Sequence, residues 1–122
     1  MRPLAALSLL AGLASLAATA ACSSDNNSGG VTRDVTIVSG ASTKGAAAFS
    51  PNPFTESAAT RSEVIWANDD GTTHRVVSDA PLFDSGNLGN GGTFTFNFTA
   101  PGTYTYHCSI HPTMVGTITI DP

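Results

Sequence analysis

The chain has 122 residues and a formal net charge of −4, and only 11% of its residues are charged. That length holds one domain, and with no basic run anywhere nucleic acid is not expected as a partner. After residue 21 there are four Lys/Arg against nine Asp/Glu, a balance that suits a basic protein partner or simple solubility.

The N-terminal "MRPLAALSLLAGLASLAATAAC" has one Arg, then an Ala/Leu-rich run, then small residues ahead of Cys22. This is the pattern of an export signal, expected over residues 1–21. As a membrane span it is poor, because Ser8, Gly12, Ser15 and Thr19 dilute the run from Leu4 to Ala21. The segment resembles a bacterial lipoprotein signal, in which the cysteine after the cleavage site is lipidated. Residues 22–30 then form a lipid-bearing Cys22 and a polar tether, "SSDNNSGG". One departure is Thr19, where such signals carry Leu three positions before the cysteine; plain cleavage after "ATA" and release as a soluble secreted protein is the alternative. Either route predicts a periplasmic or otherwise extracytoplasmic protein, held at the membrane only if Cys22 is anchored. Cys108 is then left unpaired in the domain, and a lone cysteine in an exported domain calls for an explanation such as metal ligation.

The domain is expected over residues 31–122, and its pattern is short β-like runs broken by Gly, Pro and Asn/Asp. "DVTIVS" (34–39) alternates, with Val35, Ile37 and Ser39 on one side. The run 43–61 holds Pro51 and Pro53, so any strand there is an edge or an interrupted one. "EVIWAN" (63–68) is a compact apolar strand, and "HRVVS" (74–78) follows the turn "NDDGTT". "TFTFNFT" (93–99) alternates strictly and puts Phe94, Phe96 and Phe98 on one face. Pro101 and Gly102 turn the chain into "TYTYHC" (103–108), and "GTITI" (116–120) closes the domain with Ile118 and Ile120 inward. Such a series predicts an all-β sandwich or barrel.

Chemistry concentrates between the last two strands. Cys108, His111 and Met114 recur every third residue in "TYTYHCSIHPTMVG". Strand parity puts Tyr104, Tyr106 and Cys108 on one face and His107 on the other, which separates His107 from its neighbour. A thiolate and a thioether are soft donors and imidazole suits copper, so the set fits an ion cycling between Cu(I) and Cu(II). Structural zinc would favour more Cys or His and rarely uses Met. A trigonal copper site needs a second imidazole, and His74 is the remaining histidine.

"GTYTYHCSIHPTMVGTITI" resembles the C-terminal copper loop of the small blue copper proteins, the cupredoxins, in their amicyanin/plastocyanin branch. "VIWANDDGTTHRV" is similar to the family segment that leads to the first His ligand, and "FDSGNLGNGGTFTFNFTAPGTY" to the stretch between. The resemblance implies a Greek-key β-sandwich of antiparallel and mixed strands. It implies one type 1 copper bound by His74, Cys108 and His111, with Met114 axial. It further implies one-electron transfer rather than catalysis, through the His111 edge ringed by Ile110, Pro112 and Thr113. Expected partners are redox proteins, such as a c-type cytochrome or a terminal oxidase or reductase, and the protein is expected to be a monomer. A copper-handling protein without electron transfer is the alternative, although such proteins usually expose Met-rich sites. Two positions depart from the family pattern. Arg75 stands where Asn usually braces the residue after the cysteine, and Ile110 stands where Pro is common. Ile110 keeps a backbone N–H, and the expectation is that it donates to the Cys108 sulfur and raises the potential.

Overall fold

The computed structural model describes residues 32–122; the signal and the Cys22 tether lie outside the described residues. Nine strands form two sheets, with no α-helix among the described residues. Strands β1 (Val35–Ile37), β2 (Phe49–Ser50), β4 (Glu63–Asn68) and β7 (Thr93–Asn97) make a four-stranded sheet in the order β2-β1-β4-β7. Strands β3 (Phe54–Ser57), β5 (His74–Ser78), β6 (Asp84–Leu88), β8 (Gly102–Cys108) and β9 (Val115–Asp121) make a five-stranded sheet in the order β3-β9-β8-β5-β6. Both sheets are mixed: β1 runs parallel to β4 and β3 parallel to β9, while the other pairs are antiparallel.

Alternation explains which side chains meet between the sheets. Val35 and Ile37 of β1, Val64 and Trp66 of β4, Tyr106 and Cys108 of β8, and Ile118 and Ile120 of β9 all point inward and are buried. Fully burying an aliphatic or aromatic side chain of this size stabilises the fold by about 1.5–3 kcal/mol. Phe83 sits among Trp66, Phe94, Phe96 and Phe98, with ring centroids 5.0–6.0 Å apart. Tyr106 meets Trp66 edge to face at 5.5 Å and Phe49 at 4.8 Å.

Pro51 and Pro53 lie between two edge strands, β2 of one sheet and β3 of the other. Neither proline is asked for a ladder N–H it lacks. Ser39, expected to continue the inward side of β1, lies instead in an exposed turn, since β1 ends at Ile37. Two short 3-10 turns, Ala41–Thr43 and Gly45–Ala48, cross from β1 to β2.

Candidate metal centre

The five-stranded sheet carries all four candidate ligands to one end. His74 opens β5 and Cys108 closes β8, and these strands are antiparallel neighbours with Val76 opposite Cys108. His74 and Val76 share a face, so His74 and Cys108 both point into the sandwich at the same end of the sheet. The chain then loops through His111 and Met114 before β9 begins at Val115. Inside that loop Met114 N–H donates to His111 O at 2.9 Å, and Cys108 N–H donates to Met114 O at 3.0 Å. Three ligand-bearing residues are thereby locked into one tight turn.

The donor atoms converge. Cys108 Sγ lies 3.7 Å from His74 Nδ1 and 3.9 Å from His111 Nδ1, and the two Nδ1 atoms are 3.2 Å apart. These three residues form the one cluster of His, Cys and carboxylate groups with metal-ligand spacing among the described residues. His74, Cys108 and Met114 are fully buried, and His111 alone is partly exposed.

Backbone and buried polar groups fix the loop that carries His74. Asn68, fully buried, donates from Nδ2 to Thr72 O and Leu88 O, each at 2.9 Å, and accepts at Oδ1 from Asp70 N–H at 2.9 Å. His74 Nε2 then meets Asp70 Oδ2 at 2.8 Å. The His74 imidazole beside it holds the Asp70 carboxyl below the usual carboxylate range. With Nε2 bonded to an acceptor-only carboxylate, Nδ1 is the nitrogen left with a lone pair for a metal.

Two expectations for the departures from the family pattern are revised. The hydrogen bond to Cys108 Sγ comes from Arg75 N–H, at 3.4 Å, and not from Ile110. The cause is register: β5 runs beside the end of β8, while Ile110 has already left the sheet and is 45% exposed. Ser109 is braced by the same residue, its N–H donating to Arg75 O at 3.0 Å. Both contacts are made by backbone atoms, so they do not require Asn at position 75. The Arg75 guanidinium turns outward to Asp84, with Nε 2.8 Å from Oδ1.

His107 points away from the cluster, as parity requires, and its Nδ1 pairs with Asp79 Oδ1 at 2.6 Å. Asp70, bonded to His74, is the member of the cluster's surroundings that the motif did not reveal. Its signal was an acid four positions before His74, but Asp69 stands next to it in an irregular loop where no periodicity chooses between them.

A buried cysteine and two imidazoles, with a buried Met in the same loop, set at the end of a two-sheet sandwich, have the arrangement of a type 1 copper site. The donor set fits: soft sulfur with imidazole favours copper over zinc or a hard cation. A model of the cupredoxin-like domain matches residues 8–120, and the chain belongs to the cupredoxin family. Among solved structures it is similar to a purple cupredoxin from Nitrosopumilus maritimus, at 31% identity and a TM-score of 0.66, covering 74% of this chain and all of that one. It also matches a copper-containing nitrite reductase from Thermus scotoductus SA-01, at 26% identity and a TM-score of 0.60, over 75% of this chain but only 23% of the enzyme. A reduced Cu(I) form of an amicyanin variant shares the fold, at 20% identity, a TM-score of 0.60, and 75% and 84% of the two chains. His74, Cys108, His111 and Met114 are arranged as a type 1 copper site.

Proposed function

We propose that the protein carries single electrons between redox proteins and performs no catalysis of its own. His74, Cys108, His111 and Met114 would hold the copper, which would supply a Cu(I)/Cu(II) couple. The observation that carries this reading is the closure of the donor set. Three of the four residues are fully buried, and the fourth, His111, is half-buried. Such an arrangement suits the passage of an electron through His111 better than the binding of a substrate. Ile110, 45% exposed, and the exposed Pro112 and Thr113 flank His111 in the loop, and such a surface suits a small, transient redox encounter. The hydrogen bonds that knit Cys108, Ser109, His111 and Met114 to their neighbours hold the ligands still while the charge changes.

The partner we infer is another redox protein, such as a c-type cytochrome or a terminal oxidase or reductase, met by a monomer. We further propose an extracytoplasmic location, with Cys22 lipidated and residues 22–30 tethering the domain to the membrane.

The test is colour and potential together. Protein loaded with Cu(II) is expected to show an intense thiolate-to-copper absorption band and a reversible one-electron wave, with the band lost in Cys108→Ser. A colourless, zinc-retaining protein would refute copper binding. A stable band with no reversible wave would refute electron carriage and favour copper handling.

A further inference from the structure

Behind His74 lies a group that the carrier reading does not use. Asp70 is only 6% exposed, and among the described residues its side chain pairs with His74 and with no Lys or Arg. Both of its carboxylate oxygens are occupied: Oδ2 accepts from His74 Nε2 at 2.8 Å and Oδ1 from Gly40 N–H at 3.1 Å. Its backbone is held as well, N–H by Asn68 Oδ1 at 2.9 Å and O by Asn90 Nδ2 at 3.0 Å. The carboxylate therefore cannot turn away from the imidazole. Two basic residues of the neighbouring loops are exposed: Arg33 pairs with the exposed Asp69, and Lys44 lies at the surface beside Gly40.

We propose that Asp70 is a positioning residue that locks the His74 tautomer and sets a buried negative charge behind the copper ligand, holding the reduction potential down. The inference rests on the copper reading above. A thiolate and a carboxylate together balance Cu(II) and leave a net negative charge with Cu(I). In a buried site that excess is poorly screened, so the oxidised state is favoured. A carboxylate on the far nitrogen also makes the imidazole a stronger donor, which again favours Cu(II). The effect opposes that of Arg75 N–H on the sulfur, which weakens the thiolate as a donor.

The experiment compares the copper-loaded wild type with Asp70→Asn and Asp70→Glu. Asn keeps an acceptor for Nε2–H and removes the charge; Glu keeps the charge. Outer-partner changes commonly alter metal affinity 10–100-fold. We expect the ratio of Cu(II) to Cu(I) affinity to fall about tenfold in Asp70→Asn, which is a rise of about 59 mV in potential. Asp70→Glu is expected to recover most of the wild-type value. An unchanged or lower potential in the Asn variant, or an equal rise in both, overturns the proposal. The wild type supplies an independent measurement should the Asn variant not fold. In the Cu(I) or zinc-loaded protein, NMR is expected to show a slowly exchanging, downfield proton on His74 Nε2, and its absence overturns the proposal. Loss of the copper band in the wild type itself is a separate outcome that refutes the carrier reading instead.

Discussion

Gly116 is the position where a single methyl group should do the most damage. It opens the inward side of β9 directly opposite Tyr106 of β8. A Cβ there would lie 2.2 Å from Tyr106 Cζ, 2.4 Å from Oη and 2.7 Å from Cε2, where ordinary contact begins at 3.4 Å. The ring would have to retreat by more than an ångström, but it is wedged against Phe49 and Trp66 and is 1% exposed. Overpacking of this kind costs about 1–3 kcal/mol. Against it stands the stiffer unfolded chain that Gly→Ala brings, about 0.4–1 kcal/mol. The net expectation for Gly116→Ala is a loss of about 1–2 kcal/mol, which for a domain of this size lowers Tm by roughly 4–16 °C.

Reversible thermal unfolding of the metal-free protein measures that loss, and a double-mutant cycle assigns it. Tyr106→Phe removes only the hydroxyl, which is buried with no hydrogen-bond partner. By itself it should be neutral or slightly stabilising, since an unpaired buried hydroxyl is a liability. It should not rescue Gly116→Ala, because the clash with Cζ remains. Tyr106→Leu shortens the ring away and should make the alanine nearly free of further cost. A Gly116→Ala protein that melts within a degree of wild type would show that the ring can yield, and the packing argument would fail.

Arg75→Ala should leave the copper band in place, because the sulfur contact comes from the backbone. The variant should also change acid stability. Arg75 hydrogen bonding holds the Asp84 carboxyl at about 2 instead of its ordinary 3.8. A carboxyl with a lower pKa in the folded state adds stability above pH 4, and that contribution fades as pH falls towards 2. Unfolding of Arg75→Ala should therefore depend less steeply on pH in that window; an identical slope counts against the pairing. His107→Ala should keep the full absorption spectrum and copper stoichiometry, and loss of either would make His107 part of the centre after all. Met114→Leu conserves volume in a fully buried position, so stability should fall by less than about 1.5 kcal/mol. The potential should rise as the thioether is lost, and voltammetry showing no shift would argue against an axial role for Met114.

Much of this architecture was visible in side-chain patterns, for stated physical reasons. β4 and β5 were bounded correctly because Glu63–Asn68 and His74–Ser78 are flanked by turn-forming residues. The ligand set was visible because three of its members fall in one loop, and parity separated His107 from Cys108. β6 was not visible, since "DSGNL" at Asp84–Leu88 has neither alternation nor β-branched residues. It exists because β5 offers an edge to pair with, which is a tertiary effect. The donor to the sulfur was misplaced for the same kind of reason. Loop neighbours are obvious in a sequence, but the residue facing Cys108 from a strand more than thirty positions upstream depends on register.

That register has a consequence for how the protein can change. The amide that touches the sulfur belongs to Arg75, while the side chain of the same residue lies in water beside Asp84. Any residue except proline supplies the amide, so position 75 can exchange its side chain without disturbing the sulfur. One residue thus has an inner atom fixed beside the sulfur and an outer group free to vary with the surface around Asp84.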